Sequence, residues 1–290
     1  MKLAAFPKCF MDQLVVDHSM TVFDWIEMAA ELPVDGLEMY SGFLESFEPA
    51  YIGSVRNAIE RRGFEMPMLC CSPDFTSPDP VERKKQIEIE KSMIDVTAAL
   101  GGRYCRVLSG QRRPEVSRTQ GIAWVAECLR ELVQYAAQKN VVLSLENHYK
   151  DNYWQHPEFA QMSDVFIEVL GQVDSPWLGA QFDPSNAILA GEDPIDLLEK
   201  IKCRVVTMHA SDRRLKPGHA IEELRRAEDS VGYAAILSHG VIGSGLNDFP
   251  KIFSILRGVG FDGWVSIEDG VSGFDEIRKS AEFLLPFIRG

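Results

Sequence analysis

Apolar residues along this chain fall into short runs that alternate with stretches of helical periodicity. LAAF (3–6) reads as a first strand. In TVFDWIEMAAEL (21–32), Val22, Trp25, Ile26 and Ala29 recur at helical spacing. DGLEMY (35–40) is the second strand, and residues 49–62 form a helix that Gly63 stops. FEMPMLCCSPD (64–74) reads as a strand running into a proline-rich loop. A long amphipathic helix follows over 80–100, closed by Gly101 and Gly102, then the strand RYCRVLSG (103–110). Ser117 caps a helix reaching Asn140, and VVLSLEN (141–147) is the fifth strand. Pro157 opens an expected helix over 157–170, because proline suits the first helical position. Strand 178–183, helix 194–202 and strand 205–210 continue the series. The rhythm breaks over 211–247, a length unusual for a bare loop, and AIEELRRAE (220–228) inside it reads as a short helix. Helix 248–258, strand 264–268 and a helix near 274–288 end the chain.

About eight strand-then-helix units follow one another with no shift in composition between them. Strict alternation implies parallel strands. Eight units in 290 residues predict an α/β fold, a single-domain (β/α)8 TIM barrel over 1–290, rather than an open sheet. The alternative, a doubly wound nucleotide-binding sheet, lacks its GxGxxG after the first strand.

Composition narrows the partners. Acidic residues outnumber basic ones by 43 to 30, for a net charge of −13, which opposes nonspecific attraction to nucleic acid and anionic membranes. No apolar run has transmembrane length, and Pro7 and Lys8 end the first apolar segment too early for a signal peptide. The six cysteines show no CxxC pair, so buried thiols in a reducing, cytoplasmic setting are expected.

Four strands end on a chemistry-bearing residue. VVLSLE, LGAQFD, VVTMH and WVSIE present Glu146, Asp183, His209 and Glu268. A carboxylate closing an apolar run is costly to bury unless paired or metal-bound. Barrel strands point alternate residues inward, so Ser144, Gln181, Thr207 and Ser266 share the ligands' side. Leu145, Phe182, Met208 and Ile267 then face the helices. The four strands agree in register, and the polar layer beneath is placed to orient the ligands. Three carboxylates and one imidazole suit one divalent ion, Mn, Mg, Co or Zn. The competing reading is four residues satisfied by separate local salt bridges.

ENH after strand five, FDPSN after strand six, HASD after strand seven and SIEDG after strand eight resemble the xylose isomerase-like barrels, as does DGLEMY at strand two. The resemblance spans most of the chain. It implies that Glu146, Asp183, His209 and Glu268 are metal ligands and that Glu146 and Glu268 also move protons. The implied activity is a metal-dependent isomerase or epimerase of a small sugar, sugar phosphate or polyol, working through a metal-stabilised enediolate. A dehydratase of a keto-cyclitol or related keto acid is the alternative on the same site. A non-catalytic carbohydrate-binding barrel and an endonuclease IV-like nuclease rank lower. The resemblance also allows a homo-oligomer.

Departures from the ketose 3-epimerase pattern are Asn186 where those enzymes have histidine, Asn152 where they have glutamate, and Leu215, beside Arg214, where they have arginine. Extra histidines for a three-metal nuclease cluster are absent from these motifs. Candidate substrate contacts are Glu38, His148, Lys150, Trp154, Asn186 and Arg214, with His156 in the same loop and Trp154 placed to cover an apolar sugar face. Arg213, Arg214 and Lys216 are a candidate anion patch; GVIGSGLND (240–248) offers backbone amides to a phosphate or, preferably, forms a turn capped by Asn247 or Asp248.

Overall fold

A computed structural model describes residues 1–151, 154–224 and 235–290. The chain begins with β1 (Lys2–Ala5) and α1 (Val22–Met28), whose Thr21 and Asp24 form a reciprocal capping box. The second barrel strand, β2, comes in two pieces, Gly36–Leu37 and Met39–Tyr40, interrupted at Glu38. Then come α2 (Pro49–Arg61), β3 (Met68–Cys70), α3 (Pro80–Ala99), β4 (Tyr104–Val107), α4 (Arg118–Gln138) and β5 (Val142–Glu146). Next are α5 (Ser163–Gly171), β6 (Leu178–Phe182), α6 (Pro184–Leu189), α7 (Pro194–Ile201) and β7 (Val205–Ala210). A two-stranded ribbon, β8 (Arg213–Leu215) with β9 (Leu237–His239), precedes α8 (Phe249–Gly258), β10 (Trp264–Ile267) and α9 (Phe274–Arg289).

The barrel strands pair in parallel in the order β2-β1-β10-β7-β6-β5-β4-β3 and back to β2. Both pieces of β2 contribute to closure. The first pairs with β1 and bridges Glu65, and the second pairs with β3. This is the expected eight-stranded TIM barrel. Leu145, Phe182, Met208 and Ile267 pack outward into the main apolar core between strands and helices. Inside, Ser144 and Thr207 share a 2.6 Å hydrogen bond, and the Thr207 hydroxyl lies 3.4 Å from Gln181 Oε1. The register expected for the ligand strands is therefore present.

Three local expectations change. The helix expected from Pro157 begins at Ser163 instead. The Phe159 amide donates to Gly110, the Glu158 amide to Tyr149, and the Pro157 carbonyl accepts from Arg112. Two of these bonds tie residues 157–159 to the loop after β4 and the third to Tyr149 in their own loop, in place of a first helical turn. Helix α6 was not expected, although Asp183 caps it and Pro184 opens it. The 211–247 stretch carries the ribbon β8–β9 and a 3-10 turn at Ile221–Glu223. The rest of the short helix expected over 220–228 falls partly outside the described residues, as does Asn152. Among the described residues no helix is long and apolar enough to cross a membrane.

The last two helices pack through aromatic rings. Phe253 is fully buried and stacks on Phe287 with centroids 4.9 Å apart. Phe253→Ala should cost about 3–5 kcal/mol, the usual range for deleting a buried aromatic ring. Urea denaturation followed by circular dichroism reads this directly; an unchanged midpoint would show that α8 and α9 lie outside the cooperative unit.

Candidate metal centre

Four elements converge at the C-terminal mouth of the barrel. Glu146 is the last residue of β5, His209 lies in β7, and Asp183 and Glu268 come immediately after β6 and β10. One ligand atom from each lies within 4.8 Å of the others. Glu146, Asp183 and His209 are buried, and Glu268 is 12% exposed. The four groups face one another, and Glu146 and Glu268 also hold the separate ion pairs with Arg106 and Lys8 that the competing reading expects.

His209 is oriented by its far nitrogen. Nε2 sits 2.7 Å from Glu38 Oε1, whereas Nδ1 faces Glu146 Oε1 at 3.0 Å and Glu268 Oε2 at 3.5 Å. A ring that donates from Nε2 to a carboxylate presents its Nδ1 lone pair to a cation. Glu38 is therefore buried beneath the imidazole and bonded to it, rather than open to a substrate. The break in β2 falls at this residue, whose amide bonds Ala5.

Asp183 is fixed by the start of α6. Its Oδ1 accepts from the amides of Ser185 and Asn186 at 2.8 and 3.1 Å and from the Ser211 hydroxyl at 2.7 Å. Asn147 clamps the Asp183 backbone from the other side, accepting from its amide and donating to its carbonyl. Asn186 Nδ2 also lies 3.5 Å from Glu146 Oε1, so this departure residue sits against a ligand. Two cations complete the shell. Arg106 Nη1 donates to Glu146 Oε2 at 2.8 Å and Nη2 to the Cys71 carbonyl and Ser72 hydroxyl; Lys8 Nζ donates to Glu268 Oε1 at 2.9 Å. The inward polar layer of Ser144, Thr207 and Gln181 bonds within itself, so orientation comes from Glu38, Asn147, Ser211, Arg106 and Lys8 instead.

The protonation balance shows why the set suits a cation. Burial, then the charges of Glu268 and Glu146, push Asp183 up to about 7. Burial alone would lower His209, but Glu38, Glu146 and Glu268 outweigh it and raise the imidazole well above its ordinary value. Burial opposes ionisation of Glu146 too, yet His209 and Arg106 hold it down to about 2. Glu268 is likewise held low against burial by Lys8 and His209. The oxygen-rich donors with one imidazole fit a divalent ion.

A cavity of about 120 Å³ opens beside this centre. Glu268, Lys8, Arg106, His148, Lys150 and Tyr40 help to line it. Two of the expected substrate contacts, His148 and Lys150, are therefore at the cavity. Burial lowers His148, so its ring stays neutral. Trp154 lines a neighbouring hollow, and Arg214 lies on the ribbon; neither borders the metal cavity. The expected anion patch is not assembled, because Arg213 is buried against Asp269 at 3.1 Å. The amides of Gly243 and Gly245 bind the carboxylate of Asp212, so the turn's anion is the protein's own; Asp248 caps α8 as expected.

Sequence reasoning missed Lys8, Arg106 and Glu158. Arg106 stands opposite Ser144 in register, so a charge of inward parity within RYCRV was the signal. Lys8 lies three residues past the end of β1, on the same rim. Glu158 is fully buried, accepts from the Ser109 amide at 2.6 Å, and is pushed up to about 8 by burial. It lies 3.9 Å from His148 Nδ1, behind the cavity wall.

The family model of xylose isomerase-like TIM barrels matches residues 26–287, and the chain belongs to this family. Among curated relatives, the 3-oxo-isoapionate decarboxylase of Pectobacterium atrosepticum is 27% identical over 57% of this chain and 50% of its own length. The inosose dehydratase of Bacillus thuringiensis is 22% identical over 55% of this chain and 52% of its own length. The chain thus matches about half the length of these relatives. Among solved structures, a D-tagatose 3-epimerase-like protein superimposes with a TM-score of 0.76 at 21% identity, covering 99% of this chain and 97% of the other. The IOLI protein, solved with a zinc atom, gives 0.76 at 16% identity over 99% and 98%. These structural likenesses establish the fold.

Metal binding should release protons, because Asp183 and the imidazole must both be free of them to act as ligands. Apparent affinity therefore rises as pH increases from about 5 to 8. Calorimetric titration with Mn in buffers of different ionisation enthalpy measures the release; identical heats in all buffers contradict this site. Asp183→Ala and His209→Ala should each lower metal stoichiometry, counted by elemental analysis of the folded variants.

Proposed function

We propose that the protein is an enzyme that moves a proton on the carbon beside a carbonyl of a small sugar or sugar-like polyol, giving an isomer or epimer. The observation that carries this reading is Glu268. It is the ligand-set carboxylate that also lines the cavity, and Lys8 and His209 keep it ionised. One divalent ion held by Glu146, Asp183, His209 and Glu268 supplies Lewis-acid stabilisation for a carbonyl and an adjacent hydroxyl.

The chain's own groups do the remaining work. Glu268 takes and returns the proton on the cavity side. Glu146, across His209 and steadied by Arg106, is the second carboxylate of the pair. Asn186, with its amide against Glu146, orients that second carboxylate. His148, neutral in its buried setting, and Lys150 are placed to hold hydroxyls in the cavity. General acid–base help of this kind typically contributes about 10² to 10⁴ in rate.

A second reading is supported by Lys8. Its ammonium lies 2.9 Å from the proposed base and lines the same cavity, where it is available to protonate a departing hydroxyl. Proton removal followed by loss of that hydroxyl makes a dehydratase, acting on a keto-cyclitol or related keto acid. The inosose dehydratases among the relatives carry that reaction in their name.

Solvent-deuterium exchange at the carbon beside the carbonyl tests the shared step. Glu268→Gln, which keeps an oxygen donor but loses the base, should slow exchange by about 10² to 10⁴, with metal content counted in the same sample. Full exchange in that variant would remove Glu268 from the chemistry. Proton NMR of the product separates the two readings, since only dehydration loses water.

A further inference from the structure

A second hollow, of about 320 Å³, opens on the same rim as the metal cavity. Tyr40 and Asp151 line both, so the two spaces share a wall. The outer hollow is walled by Phe47, Trp154 and Ile89, with Gln86 and Asp151 among its polar groups. Phe47 is 49% exposed and Ile89 44% exposed, high values for large apolar side chains. Tyr40 is held in place by an edge contact to Phe43 at 5.6 Å, and a Cβ at Gly42 would lie 2.5 Å from its ring. Glycine at position 42 therefore leaves the Tyr40 ring room to form the partition.

We propose that this hollow holds a second sugar ring, so that the substrate is a disaccharide or glycoside. Its carbonyl-bearing unit sits over Glu268, and its other sugar ring rests on Phe47 and Trp154. The inference builds on the function proposed above and adds the size and class of the substrate. Aromatic faces beside planar amide and carboxylate groups match a pyranose, which shows an apolar face of C–H bonds and a polar edge of hydroxyls. Rings offer large contact area at small entropic cost, which suits a shallow, open hollow. Trp154 has a role in this arrangement although it does not border the metal cavity.

Fructose, lactulose and isomaltulose are suitable probes. All three contain the fructose unit with its carbonyl carbon, and the latter two add a second hexose through different linkages. Binding to the Mn-loaded protein is measured by calorimetry, with metal content counted in parallel. At least one disaccharide should bind about tenfold more tightly than fructose, a gain expected of one ring stacked on two aromatic side chains. Phe47→Ala and Trp154→Ala should each reduce that advantage and leave fructose binding and metal content unchanged. Fructose bound as tightly as both disaccharides, or an advantage that survives both substitutions, overturns the second-ring site while the metal–ketose reading stands. Binding of all three that ignores removal of the metal, or no binding with the metal in place, overturns both.

Discussion

Like charge held at short range is the constraint on which the mouth of this barrel is built. Glu146, Asp183 and Glu268 bring ligand atoms within 4.8 Å of one another and of His209, in a setting where water cannot screen them. Such a cluster stands only if positive charge is built in around it. The chain supplies this from every side. Arg106 is buried against Glu146, Lys8 meets Glu268, and Glu38 keeps the imidazole charged from below. Asp183 sits at the positive end of α6, where the amides of Ser185 and Asn186 meet its oxygen. These devices lie on separate strands, so the centre acts as a clasp that favours one register around the ring.

The 211–247 insertion follows the same logic of anions met by donors. Asp212 gathers the amides of Gly243, Gly245 and Asn247, and Asp269 gathers the Asp212 amide, Arg213 and His239. Both acids lie next to the rim: Asp269 follows Glu268 directly, and Asp212 comes three residues after His209. The insertion is thereby latched to the two strand ends that carry ligands. A Cβ at Gly245 would strike the Asp212 carboxylate, so the turn can close only on a residue without a side chain.

Much of this was legible in the sequence, for identifiable reasons. Barrel closure followed from counting alternations, because each unit buries its own apolar stripe and leaves a local signal. The convergence of the four candidate ligands was legible because a charge ending an apolar strand is a rare and costly placement, and it occurs four times in one register. Glu38 was visible as a strand-end acid, but its partner was not; that His209 lies above it depends on two strands separated in the ring by β1 and β10. Helix α6 was overlooked although Asp183-Pro184 is a capping signal, because the same residues had been read as a ligand motif and can serve as both. The late start of α5 was not readable locally. Pro157 is a good opener for a helix, and only the loop after β4, brought alongside by the barrel, takes up the backbone groups a first turn would need. Trp154, expected at the sugar pocket, lines the neighbouring hollow instead, on the far side of Tyr40.

The division of labour between strands and loops explains why a family assignment does not fix a reaction. Strand ends hold Glu146, His209 and the first residues past β6 and β10, and rigid placement there serves any chemistry that begins with a proton leaving carbon. Loops hold Lys8, His148, Lys150 and the wall of Tyr40. These decide what approaches the carboxylates and what acid waits beside the leaving group. On the proposed reading, the ammonium against Glu268 makes loss of a hydroxyl accessible in the same cavity where return of the proton would give an epimer. The two outcomes diverge only after the shared carbanion-like stage, at a point set by one loop residue's distance from the substrate. On the proposed reading, selection of product rests with the loop after β1, while the ability to start the reaction belongs to the barrel.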